Sequence, residues 1–199
     1  MEVFLIRHTR PAVVEGTCYG RTDVPLDEHD FAARVPHIAA QLPRGMAFYS
    51  SPATRCARLA GHLVDATCGA LAGVDERLRE LDFGSWEGRL WSELPSEETR
   101  RWRSDIVHGA PPGGENLMAL WARVTEFYQA TLDDAHNKGT ERIAIVGHAG
   151  SLKMLVMRAL RMSPDAFALT DVAQGRVSRV DVTRRADGEL RERLMFLNR

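Results

Sequence analysis

Ile143-Ala144-Ile145-Val146-Gly147-His148-Ala149-Gly150-Ser151 is the stretch whose reading decides the fold. Ile143 to Gly147 is a short, continuous apolar run, the pattern of a strand buried on both faces. Leu152, Leu155, Val156, Ala159 and Leu160 then recur at helical spacing, so a helix follows directly. Working outward, Val3 to Ile6 is a second such run, and it ends in Arg7-His8. Met46 to Tyr49 reads as another strand, closed by Ser50-Ser51-Pro52. Residues 74–79 read as a further one.

Helical spacing fills the gaps between these runs. Phe31, Val35, Ile38, Ala39 and Leu42 predict a helix over 27–42 with Asp27 as its cap. Pro36 conflicts with that helix unless it kinks or starts late. Leu59, Ala60, Leu63 and Val64 predict a helix from Cys56 to near Gly69, and Leu117 to Tyr128 mark a long one over 116–135. Residues 89–114 resist assignment. Val177, Val180 and Val182, a turn at Asp187-Gly188, and Leu190, Leu194 and Phe196 suggest two late strands. Strands alternating with helices predict an α/β sandwich around a mostly parallel sheet. With no linker or repeat in 199 residues, one domain over 1–199 is the expectation.

The formal net charge of −1, with no run of Lys or Arg, leaves no electrostatic footprint for nucleic acid or an anionic membrane. No stretch approaches the ~18 apolar residues of a membrane span, and the start lacks the basic region of a signal peptide. Cys18, Cys56 and Cys68 form no CxxC pair, which reads as free thiols in a cytoplasmic protein. A homodimer is compatible with this composition. No HExxH or similar ligand spacing occurs, so no metal is expected.

The residues at the strand ends carry the chemistry. Arg7 and His8 close the first strand, Arg55 follows the second, Glu80 follows the third, and His148 closes the late one. Ligands of open α/β sheets bind beyond the carboxyl ends of the strands, so these five side chains are expected at one rim. A neutral imidazole can displace an alcohol from phosphorus, and guanidiniums with a second imidazolium can hold the equatorial oxygens. Like charge from a bound phosphate favours a protonated neighbouring carboxyl, which makes Glu80 the candidate acid. His148-Ala149-Gly150 heads a helix, whose N-terminus favours an anion. A small phosphate ester is therefore the expected ligand.

Leu5-Ile6-Arg7-His8-Thr9 resembles the signature of the histidine phosphatase superfamily, which is phosphoglycerate mutase-like. Ser50 to Ala57, Leu78 to Gly88 and Val146 to Gly150 resemble its further motifs, in family order. The resemblance implies a three-layer α/β/α fold, a phosphorylated His8 and no metal or other cofactor. It implies that Arg7, Arg55 and His148 bind phosphate and that Glu80 donates the proton. The family often has Gly-Glu after the histidine and an Asn further on; here these are Thr9-Arg10, with no Asn before Asn116. Arg7 to Pro11 with Gly16 to Asp23, and Pro111 to Glu115, are similar to the branch that acts on α-ribazole 5′-phosphate in cobalamin assembly. On that branch Cys18, Tyr19 and Arg21 lie near the entrance, and Tyr19, Arg21 and Ala149 are expected to touch substrate.

Each residue alone has a blander reading. Arg55 could be a solvated helix residue, Glu80 part of a charged face, and His148 a core histidine satisfied by backbone. Trp86, Trp91, Trp102 and Trp121 are more often packing than stacking platforms. His37 and His62 fall in helices as solvated residues, and His108 precedes Pro111 in a loop. A mutase and an inactive phospholigand-binding module are the rival functions. The short chain argues against the covering segments of a mutase, and the presence of both His8 and Glu80 argues against the inactive module.

Overall fold

A computed structural model describes residues 1–199. The chain runs β1 (Glu2–Arg7), α1 (Glu28–Ala39), β2 (Ala47–Ser50), α2 (Thr54–Thr67), β3 (Ala70–Val74), α3 (Ser96–Ser104), α4 (Leu117–Asn137), β4 (Arg142–Gly147), α5 (Ala149–Ala159), β5 (Val177–Arg184) and β6 (Leu190–Phe196). The strands form one sheet in the order β3-β2-β4-β1-β5-β6. The first four in that order are parallel to one another, β5 is antiparallel to β1, and β6 is antiparallel to β5. The mostly parallel sheet predicted from the alternation of strands and helices is therefore present.

Alternation along β1 and β4 divides the core into two layers. Val3, Leu5, Ile143 and Ile145 pack on one face with Leu120, Val124 and Phe127 of α4 and Leu152, Leu155 and Val156 of α5. Phe4, Ile6, Ala144 and Val146 pack on the other with Phe31 and Ile38 of α1 and Cys56, Leu59 and Leu63 of α2. A strand covered on both faces must be apolar at every position, which is why these two runs show no polar alternation. The result is a three-layer α/β/α sandwich.

One expectation needs correction, and one gap is filled. The third strand is Ala70–Val74 and not 74–79. Cys68 ends α2 in the left-handed conformation, φ 51°, and turns the chain straight into β3. Asp75 then caps a short 3₁₀ turn over Glu76–Leu78. The unassigned region holds α3, whose only buried residue is Thr99, so it had no apolar stripe to read. Helix α1 begins on its predicted cap, the Asp27 side chain accepting from the Asp30 N–H, and runs through Pro36 to Ala39. A late start is thus excluded.

Candidate active site

Strand register brings the two histidines together. In the β1–β4 pair Arg7 lies opposite Gly147, so the next residues, His8 and His148, leave the sheet side by side. The His8 N–H donates to the Gly147 carbonyl at 3.1 Å, and the two rings stand edge to face with centroids 5.2 Å apart. β2 pairs with β4 so that Ser50 faces Val146, and Ser51 then lies under His148. Its hydroxyl is 2.8 Å from His148 Nε2.

The tautomer of His8 is fixed locally. Its Nδ1–H donates to the Thr9 carbonyl at 2.7 Å, which leaves Nε2 as the nitrogen with the lone pair. His8 is 1% exposed. Burial, followed by the charge of Arg55 and to a smaller degree that of Arg7, pushes its pKa down to about 3. Burial, His8 and the two arginines hold His148 well below the usual histidine range. The second imidazolium expected from sequence is therefore a neutral imidazole. Burial also pushes the adjacent Cys56 thiol, 3.5 Å from His148 Nε2, up to about 12, so it stays protonated.

The cations are anchored from behind. Arg55 is fully buried; its Nη1 and Nη2 donate to the carbonyls of Thr22 and Gly20 at 2.9 and 2.6 Å. Arg7 Nη1 donates to the Val172 carbonyl at 2.6 Å. Gly20 is required where it stands, because a Cβ there would lie 1.9 Å from the Leu81 carbonyl oxygen. Arg7 Nε, Thr9 Oγ1 and Arg55 Nε are buried polar atoms with no hydrogen-bond partner. Such atoms are costly unless a ligand satisfies them, and three of them fall on the residues around His8.

Glu80 lies on the same rim. Its carboxylate accepts from the Gly150 N–H, 3.0 Å to each oxygen, and from its neighbour Leu81 at 2.9 Å. The group held at the start of α5 is thus the chain's own Glu80 side chain. Ala149 opens that helix, where first-turn N–H groups have no intrahelical partner.

A model of the histidine phosphatase superfamily (branch 1) matches residues 3–192. The chain belongs to the histidine phosphatase superfamily. Phosphatase activity comes with that membership. A Hydrogenobacter thermophilus protein that carries a phosphoserine phosphatase name is 31% identical, with 77% of this chain and 76% of the relative aligned. The adenosylcobalamin/alpha-ribazole phosphatase of Escherichia coli is 27% identical over 93% of this chain and 92% of that one. Other relatives carry phosphoglycerate mutase names. The crystal structure of the alpha-ribazole phosphatase from Shigella flexneri superposes with a TM-score of 0.86 at 24% identity, covering 100% of this chain and 96% of that one. That likeness bears on the fold.

Arg7, His8, Arg55, Glu80 and His148 are brought to one rim of this histidine phosphatase; Glu80 gets there from the irregular segment after the Glu76–Leu78 turn and not from the end of a strand over 74–79. Tyr19 joins them: the Arg55 guanidinium lies 5.6 Å from its ring centroid, and its hydroxyl accepts from Gln174 at 3.3 Å. Arg21 does not join in the same way. Its side chain reaches Asp82 at 3.6 Å and Glu115 at 4.0 Å. His108 is exposed and pairs with Asp105, while Trp86 is buried against Cys18 and Leu94. Arg10, which replaces the family's acidic residue, pairs with Asp27.

Ser51 and Thr9 are site residues that received no role from the sequence, although both stand one or two places beyond a strand end. Glu87 also proves structural at the site. Its carboxylate accepts from the backbone of Arg21, Thr22 and Phe83 and from the Thr22 hydroxyl, which clamps the loop that anchors Arg55.

Proposed function

We propose that the protein is a phosphomonoesterase that needs no metal, works through a phosphohistidine on Nε2 of His8, and takes α-ribazole 5′-phosphate as substrate. The observation that carries the chemistry is the local lock on His8. With Nδ1 tied to the Thr9 carbonyl, the free nitrogen is Nε2, and a depressed pKa keeps it unprotonated at neutral pH.

Nε2 attacks phosphorus in line, the N–P bond forms and the P–O bond to the alcohol breaks. Glu80 passes its proton to the departing alkoxide. The resulting carboxylate then takes a proton from the water that attacks the phosphohistidine, which restores both residues and releases phosphate. Arg7 and Arg55 hold the equatorial oxygens where charge gathers, and the partnerless Nε atoms suit them to it. Burial first, and then His8 and the arginines, keep His148 neutral; a dianionic phosphate beside it opposes the charge part of that shift and favours the imidazolium, with both ring nitrogens as donors.

Three features support the substrate. Residues 7–11, 16–23 and 111–115 resemble the α-ribazole branch, and the E. coli relative aligned over nearly its whole length carries that name. A cleft of about 560 Å³ adjoins the rim, lined by Pro11, Ala12, Val13 and Val14 on its apolar side and by Tyr19 and Gln174 next to the arginines. A half-apolar cleft suits a flat aromatic base carried on a sugar phosphate. The three cysteines are unpaired, which supports a cytoplasmic location, and no helix is long and apolar enough to cross a membrane.

Labelled substrate quenched in base should leave an acid-labile phosphoenzyme in the wild type and none in His8→Ala. Near-normal turnover by that variant would overturn the nucleophile. A panel of α-ribazole 5′-phosphate, phosphoserine, sugar phosphates and 3-phosphoglycerate, with chelator present, tests the substrate and the absence of a metal requirement. The relatives with mutase names favour a second reading. A coupled assay with bisphosphoglycerate decides it.

A further inference from the structure

Arg123, in α4, spends every N–H donor of its guanidinium inside the protein. Nε and one Nη2 hydrogen donate to the two oxygens of Glu115, both at 2.7 Å. Nη1 donates to the carbonyls of Arg77 and Arg79 at 2.7 and 2.8 Å, and Nη2 also donates to the carbonyl of Glu80 at 3.0 Å. The side chain is 15% exposed and that of Glu115 11%.

These bonds matter because of what they hold. Beyond the turn that ends at Leu78, the backbone through Phe83 lies in no helix or strand. Regular hydrogen bonding therefore does not fix where Glu80 stands. From a helix packed in the core, Arg123 supplies donors to two carbonyls of this segment, Arg79 and Glu80, and to Arg77 in the turn before it. At its other end Glu80 reaches the first turn of α5, so backbone and carboxyl are each pinned to a helix. We infer that Arg123, with Glu115 as its counter-ion, is the positioning residue that sets Glu80 for proton donation. The inference rests on the reading of Glu80 as the acid.

The test compares two esters by kcat/KM, which reports the step in which the alcohol leaves. An alkyl phosphate such as α-ribazole 5′-phosphate or glycerol phosphate needs a proton on its leaving group. p-Nitrophenyl phosphate does not, because p-nitrophenolate departs as the anion. Arg123→Met, Arg123→Lys and the milder Glu115→Gln are measured beside Glu80→Gln, with thermal midpoints and circular dichroism to report folding.

Glu80→Gln should lose on the order of a hundredfold more on the alkyl than on the aryl ester. Arg123→Met should show the same bias at about tenfold, Arg123→Lys less, and the basic limb of the pH profile should move with it. If Met fails to fold, the bias is read from Glu115→Gln and Arg123→Lys. Equal losses on both esters, or none, in the Arg123 and Glu115 variants while Glu80→Gln stays biased would overturn the positioning role. No bias in Glu80→Gln would overturn the acid itself, and the inference with it.

Discussion

Ser51 Oγ lies 2.8 Å from Nε2 of His148, and the two are brought together by nothing more than the register of β2 against β4. The contact orients a buried ring that stands edge to face with His8. Removing the hydroxyl leaves the ring nitrogen only the weaker Cys56 thiol, at 3.5 Å. Ser51→Ala is expected to lower kcat/KM about tenfold, the equivalent of one hydrogen bond of roughly 1.4 kcal/mol, with the thermal midpoint nearly unchanged. Steady-state kinetics on any good substrate measures it; a variant as active as the wild type would show that the ring needs no such support.

Gly150 offers a sharper way to displace the acid. A Cβ at this position would stand 2.3 Å from Glu80 Oε1 and 3.2 Å from the nearest Leu120 atom. The closer clash is with the end of a flexible side chain, and alanine suits a helix better than glycine does. Gly150→Ala should therefore fold normally while Glu80 moves aside, and turnover of alkyl phosphates should fall between about ten- and a hundredfold. Full activity in a folded variant would mean that the carboxyl does not act from this position.

The histidines also set an acid limit on the fold. His8 is held at about 3 when folded against 6.5 in its ordinary state, and His148 moves in the same direction. Between these values the unfolded chain binds protons that the folded one refuses, so stability rises with pH across that window. The contribution is complete above about 6.5 and fades as pH falls towards 3. Urea midpoints from pH 7 to 4 without phosphate should drop less steeply in His8→Ala than in the wild type. Parallel curves would contradict the burial of a neutral His8.

Glu87 gathers four donors from two loops into one carboxylate. Glu87→Ala leaves those N–H groups and the Thr22 hydroxyl to find water, at a cost of about 2 kcal/mol. The loss should reach Arg55, since Gly20 and Thr22 supply the carbonyls that hold it. A lowered denaturation midpoint together with a raised KM for phosphate esters is the expected pair of changes. A lowered midpoint alone would confine Glu87 to stability.

The parts of the molecule that the sequence disclosed share a physical cause. β1 and β4 are covered on both faces, so burial writes a continuous apolar run, and the residue that breaks the run is the one that leaves the sheet at the rim. That is how Arg7, His8 and His148 became legible. β3 is an edge strand with exposed Leu71 and Val74, and its Ala-Leu-Ala-Gly-Val carries no such contrast. Helix α3, Ser-Glu-Glu-Thr-Arg-Arg-Trp-Arg-Ser, is polar nearly all round and depends on its neighbours. Arg123 was silent for another reason. The partners that tie it to the site are carbonyl groups more than forty residues away, and a backbone oxygen leaves no mark in a sequence.

The phosphate cradle and the adjoining cleft are built from different material. Side chains at or beyond the ends of paired strands form most of the first, and the second is lined mainly by the mixed apolar and polar residues of the connection between β1 and α1. Substitutions in that connection can reshape what alcohol is accepted while the strand register keeps the two imidazoles in place. A lineage with this architecture is free to change the ester it cleaves by altering a loop, without rebuilding the reaction.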